Sequence, residues 1–203
     1  MRIGLLGPAE GDEGALRDAV EFLLGDAGVD QAIYLGGDEA TIERVITEWA
    51  HEIFGDDVPG EDAFLARGAE LAPSGTPDEI DELLAAERSL LRLSAVRMLP
   101  RPPVRAIEMI ADRIMIAVHD KSILDEEDIA NASLIVYGLS KEAECRRFGA
   151  RYFLTPGPVS RGRVALVELE EDGNVSLAIY ETSGLPIWRE KMARRTSKVS
   201  VVR

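Results

Sequence analysis

The chain is short of the features that assign a function at sight. A single cysteine, Cys145, stands among 203 residues. It allows no internal disulfide and fits a reducing, cytoplasmic compartment. No apolar run approaches the roughly 20 residues that span a bilayer. The opening residues Arg2-Ile3-Gly4-Leu5-Leu6 read as a strand rather than a basic-then-apolar leader. A soluble, cytoplasmic protein with no membrane partner is expected. Positive charge is also scarce, with 23 Lys and Arg against 37 Asp and Glu and a net charge of -14. The resulting field repels phosphates and anionic lipids, which argues against general nucleic-acid binding. There is no Gly-x-Gly-x-x-Gly or Walker sequence, and Gly36-Gly37 after a strand is too generic to propose a nucleotide site. Ser140 and Ser160 have no histidine near them in sequence, so no hydrolytic triad can be read. Of the two histidines, His51 lies on an amphipathic helix and is expected to face solvent. Only His119, after an apolar run, is placed for chemistry.

What is present describes one ordinary domain. Hydrophobic residues make up 46% and charged residues 30%, enough for a single substantial core. Residues 3–7 and 31–35 read as strands. Leu16, Ala19, Val20, Leu23 and Leu24 recur at helical spacing over residues 12–27. Ile42, Val45, Ile46, Trp49 and Ile53 mark a second amphipathic helix, with Asp38 placed to cap it. A short helix is expected near residues 62–71, and another after Pro77 carrying Ile80, Leu83, Leu84, Leu90 and Leu91. Residues 104–110 and 113–119 look like neighbouring strands joined tightly through Ala111-Asp112. Residues 134–137 and 151–154 are further strands, with a helix carrying Ala143, Cys145 and Phe148 expected between them. Residues 163–170 and 174–181 alternate around Asp172-Gly173, a hairpin signal. The sum is an α/β domain whose early strands are parallel and later ones antiparallel, with the apolar strand 134–137 central.

Charge divides the chain at its end. Residues 184–203 hold six basic residues against Glu190 alone, a net of +5, so the body 1–183 carries -19. This tail reads either as a solvated end or as a docking segment for an acidic surface. Trp188 with Arg189, Arg194 and Arg195 is the candidate interaction cluster. Val199, Val201 and Val202 could add a short edge strand.

Two stretches carry a family resemblance. Ile135-Val136-Tyr137-Gly138-Leu139-Ser140-Lys141 and Phe153-Leu154-Thr155-Pro156-Gly157-Pro158-Val159-Ser160 resemble the end of a small bacterial calcineurin-like metallophosphoesterase. There a strand runs into Gly-His-x-His and a later one into Asn-Pro-Gly-Ser. The order of segments is similar as far as Glu181. The resemblance implies an α/β sandwich of two mixed sheets flanked by helices, with metal ligands on loops at strand ends. Position by position, most of those ligands are replaced. In Gly7-Pro8-Ala9-Glu10-Gly11-Asp12 the aspartate position holds Pro8 and the histidine position Glu10. In Leu35-Gly36-Gly37-Asp38 the bridging carboxylate position is glycine, unless Asp38 substitutes through a one-residue shift. Thr76 stands at the amide position, and Thr76-Pro77-Asp78-Glu79 reads equally as a capping box. His119 keeps the fourth motif, while Leu139 and Lys141 occupy both histidine positions of the fifth.

A binuclear site needs a bridging carboxylate and several imidazole or amide donors, because two nearby dications repel. The resemblance therefore implies a vestigial cleft of Pro8, Glu10, Asp38, Thr76, His119, Leu139 and Lys141, with no catalytic residue and no cofactor. A single divalent metal on Glu10, Asp38, His119 and Asp120 is the alternative. Two function classes follow. One is a catalytically inactive scaffold that works through a protein partner or self-association, as the small scaffold subunit of retromer, which resembles this fold, serves assembly. The other is a divergent metal-dependent phosphoesterase, or a sensor that takes a small anionic ligand in the altered cleft.

Overall fold

A computed structural model describes residues 1–54 and 61–193. Eleven strands and five helices are arranged as two stacked mixed sheets with helices outside, among the described residues. The first sheet begins with β1 (Arg2–Leu6) beside β2 (Gln31–Tyr34) in parallel, joined by α1 (Glu13–Leu24). Asp12 starts that helix by accepting the amide N–H of Ala15 at 3.0 Å, and Leu16, Ala19, Val20 and Leu23 form its buried stripe. α2 (Glu39–Phe54), α3 (Glu61–Leu71) and α4 (Pro77–Leu93) then carry the chain to β3 (Val96–Met98), parallel to β2 at one edge. Thr76 and Glu79 form the expected capping box, with Pro77 in the first turn of α4.

The second sheet is made of β4 (Ala106–Ile110), β5 (Arg113–Val118), β6 (Leu134–Tyr137), β7 (Glu144–Phe148) and β8 (Arg151–Thr155), with α5 (Glu126–Asn131) before β6. Its order is β4-β5-β6-β8-β7, which puts β6 in the middle as its apolar run requires. The chain returns to the first sheet with β9 (Arg163–Leu169), β10 (Val175–Glu181) and β11 (Pro186–Lys191), giving the order β11-β10-β9-β1-β2-β3.

Period-two alternation sorts the side chains. Ile3, Leu5, Ile33 and Leu35 face Met115, Ala117, Leu134 and Val136 between the sheets. Leu6, Tyr34 and Leu166 turn outward beneath the helices. On the far face, Ile116, Val118, Ile135 and Tyr137 pack with Ile129 of α5.

Several expectations are corrected here. The segment with Ala143, Cys145 and Phe148 is not helical: β7 is an edge strand paired antiparallel with β8. The two-residue connection Gly149-Ala150 closes that hairpin, with Gly149 at φ +63°. Later strands are not uniformly antiparallel, because β5, β6 and β8 run parallel. The strands β3 and β11 and the helix α5 were not anticipated as elements. β11 lies within the basic segment 184–203 and pairs with β10.

Candidate functional site

The parallel strands of both sheets end on one rim, and contacts between backbones hold that rim together. A Cβ added to Gly7, just after β1, would stand 1.6 Å from the carbonyl oxygen of Gly157, after β8. A Cβ on Gly138, after β6, would stand 2.0 Å from the carbonyl oxygen of Leu35, after β2. Only glycine lets the chain approach this closely. Hydrogen bonds complete the frame: Val159 N–H donates to the Pro8 carbonyl at 3.1 Å, and Leu139 N–H to the His119 carbonyl at 2.7 Å. Loops following β1, β2, β5, β6 and β8 therefore meet, and they bring Pro8, Asp38, His119 and Leu139 onto one rim.

The side chains on that rim are engaged in specific ways. Tyr34 lies buried beneath the first loop, and its hydroxyl accepts the buried Ala9 N–H at 3.1 Å while donating to Asp38 Oδ1 at 2.5 Å. Burial, and then the Asp38 carboxylate, push the Tyr34 phenol well above its ordinary range. The Asp38 carboxylate thus serves Tyr34, and the Asp38 carbonyl accepts Thr41 N–H at 3.2 Å at the start of α2. His119 Nδ1 lies 2.8 Å from the Leu35 carbonyl oxygen. A carbonyl only accepts, so Nδ1 carries the hydrogen and Nε2 of the neutral ring keeps its lone pair. A Cβ at position 37 would lie 3.4 Å from that Nε2. Position 37 is thus next to His119, and glycine there supplies no donor.

The other candidates are either bonded elsewhere or exposed. The Asp120 carboxylate accepts Ser122 N–H at 2.8 Å at the head of a short 3-10 turn, and this bond holds it below the usual carboxylate range. Glu10 is exposed on a left-handed backbone, φ +52°. Lys141 is exposed, and Leu139 is 57% exposed. Thr76 is occupied by the α4 cap. His51 is exposed on α2 as expected. Among the described residues, no group of three or more His, Cys, Asp and Glu side chains converges closely enough to hold a metal ion. At the positions where the resemblance implies donors to a metal pair stand proline, glycine and leucine, whose side chains supply none, and that donor set does not fit a binuclear centre.

Beside His119 lies a cavity of about 580 Å³ with Leu99, Pro102, Val104 and Ile123 in its wall. Its charged lining is Arg101, Glu39 and Asp120, and Arg101 is paired with Glu39 at 3.1 Å. Sequence reading missed Arg101 and Glu39, which carry no motif and meet only through the fold.

The proposed interaction cluster divides. Trp188 is half-buried against the core between the sheets, and Arg189 pairs with Glu168 and Glu170. Arg194 and Arg195 lie outside the described residues. Just before them, the Ala193 carbonyl accepts from buried Arg113 at 2.7 Å, and Ala193 N–H donates to the Tyr152 hydroxyl at 3.3 Å.

No family model and no curated protein matches the chain. Its fold is similar to several solved structures. The E. coli phosphoesterase YfcE shares 14% identity with a TM-score of 0.54, over 95% of this chain and 100% of that one. A predicted phosphoesterase from Streptococcus pneumoniae shares 14% identity with a TM-score of 0.52, over 95% and 97%. Vacuolar protein sorting 29 from Cryptosporidium parvum shares 13% identity with a TM-score of 0.53, over 95% and 98%. At such identities the likeness is one of fold. The two mixed sheets flanked by helices are the fold that this chain shares with these solved phosphoesterases and with vacuolar protein sorting 29.

Proposed function

We propose that this chain is a metallophosphoesterase-fold protein without phosphoesterase catalysis, acting as an interaction or regulatory scaffold for protein partners. One observation supports the reading: Pro8, Gly37, Leu139 and Lys141 stand where the resemblance calls for metal ligands, and two of the remaining carboxylates are committed within the protein. Asp38 is tied to Tyr34 and Asp120 to Ser122. His119 Nε2 faces glycine rather than a second donor. A lone imidazole is a weak anchor for a dication, and a hydroxide nucleophile would lack the charge that generates it.

The fold is shared by two phosphoesterases and a vacuolar protein sorting protein, so fold alone does not decide between catalysis and assembly. An anionic ligand in the cavity draws less support. Its walls set Glu39 and Asp120 against Arg101, which is already paired, so an incoming anion meets more negative charge than positive.

The test is metal analysis of protein purified without chelator, together with turnover of a bis-nitrophenyl phosphate substrate in added Mn²⁺ or Zn²⁺. The expected result is less than one metal per chain and no turnover above that of a His119→Ala variant. Stoichiometric metal with turnover abolished by His119→Ala overturns the reading.

A further inference from the structure

The cavity beside His119 is framed by three connections: Gly36-Gly37 after β2, residues 99–104 between β3 and β4, and His119-Asp120 after β5. Its volume of about 580 Å³ is that of a small-molecule site, and Leu99, Pro102, Val104 and Ile123 supply the apolar wall usual in one.

The polar groups of the lining are few and each has a definite state. His119 donates from Nδ1 to the Leu35 carbonyl, so Nε2 is an acceptor, and among the described residues no group donates to it. Glycine at position 37 keeps that nitrogen open, since even a methyl there would stand 3.4 Å from it. Arg101 is held by both oxygens of Glu39, at 3.4 Å and 3.1 Å, and the two charges cancel. Asp120 is different. Its bond from Ser122 N–H keeps the carboxylate ionised, and among the described residues no side-chain cation pairs with it. The neighbouring Lys121 turns its ammonium onto the Tyr137 ring instead, 4.2 Å from the centroid.

The cavity therefore combines an open neutral acceptor, one net negative charge and an apolar wall, with no unpaired cation in its described lining. A carboxylate or phosphate would meet only like charge. An ammonium group can donate to His119 Nε2 with its charge beside Asp120, while its hydrocarbon part leaves water for the wall. We infer that this cavity is a binding site for a small organic cation, a primary amine carrying an apolar body. The inference goes beyond the proposed function, which names no ligand.

The test is isothermal titration calorimetry of the full chain with phenethylamine, phenethyl alcohol and phenylpropanoate, which share an apolar body and differ in charge. Metal analysis of the same sample keeps a failure here separate from a failure of the proposed function. Phenethylamine is expected to bind one per chain, about tenfold or more tighter than the other two, as for a charge-assisted hydrogen bond. Asp120→Asn, which still offers Ser122 N–H an acceptor, and His119→Ala should each weaken it by about tenfold or more. Gly37→Ala should weaken it with both groups in place, and thermal melts confirm that each variant is folded. Absence of saturable phenethylamine binding overturns the inference, and so does equal affinity for the alcohol or the carboxylate. Affinity unchanged in folded Asp120→Asn and Gly37→Ala overturns it as well.

Discussion

Removing one hydroxyl should measure how firmly the first rim loop is held. Tyr34→Phe keeps the ring, so it opens no cavity and leaves the packing under Gly36 unchanged. It deletes two hydrogen bonds of different weight. The bond to Asp38 ends on an exposed carboxylate that can turn to water, so its loss costs about 1 kcal/mol or less. The bond from Ala9 N–H is different, because Ala9 is fully buried and its amide would be left without an acceptor. An orphaned buried donor costs about 1–3 kcal/mol. The expected total is about 2 kcal/mol, read from urea denaturation midpoints at unchanged m. Asp38→Ala should cost less than Tyr34→Phe, and adding it to Tyr34→Phe should cost almost nothing more, since the shared bond is already gone. The phenol gives an independent check at high pH. Its pKa is raised in the folded state, so the stability it contributes is complete below its unfolded value of 10.0 and is lost as pH climbs beyond it. Tyr34→Phe should therefore lose less stability above pH 10 than wild type, though Tyr137, raised for similar reasons, keeps the slope from vanishing. A variant within about 0.3 kcal/mol of wild type, or an Asp38→Ala cost equal to that of Tyr34→Phe, would refute the assignment of weight to Ala9.

Three further outcomes are expected. Gly138→Ala should destabilise by about 3 kcal/mol or more, because the new methyl would meet the Leu35 carbonyl, which is backbone and cannot swing aside; a soluble variant with a wild-type urea midpoint would contradict the rim geometry. Truncation after Gly184 should lower the midpoint sharply relative to truncation after Ala193, because it deletes β11 with buried Met192 and the Arg113–Ala193 bond; equal midpoints for the two truncations would leave β11 without a structural role. Thr76→Ala should cost about 1 kcal/mol at neutral pH in the same assay. In wild type the cap should weaken as pH falls below the ordinary Glu value of 4.5, because Thr76 holds the Glu79 carboxylate below that value.

The parts of the fold that were legible in the sequence are those where one signal acts alone. The α1 stripe, the Thr76 capping box, the Asp172-Gly173 hairpin and the doubly covered β6 each rest on local periodicity or turn chemistry. β7 was misread because an edge strand has one neighbour and shows little alternation, with Arg146, Arg147 and Phe148 all exposed in succession. Gly149-Ala150 was the signal that marks it. β11 lay inside a charged segment, and its strand character comes from pairing with β10 rather than from its own pattern. At the rim, the sequence named which residues stand at strand ends, but not their partners. The Tyr34–Asp38 and His119–Leu35 bonds, and the meeting of Arg101 with Glu39 across 62 positions, arise only when the two sheets stack.

The close approaches of Gly7 to Gly157 and of Gly138 to Leu35 separate what this architecture needs from what its chemistry needs. Backbone atoms clamp the rim, and the side chains beside the clamp at positions 8, 10, 37, 139 and 141 contribute little to it. Those five sites form an interchangeable fringe on an indifferent chassis. The clamp itself makes no use of the side chains there, since its close contacts run between backbone atoms. An engineer could use the chain accordingly, as a blank on which donors are written back one at a time beginning with a carboxylate at position 37 facing His119.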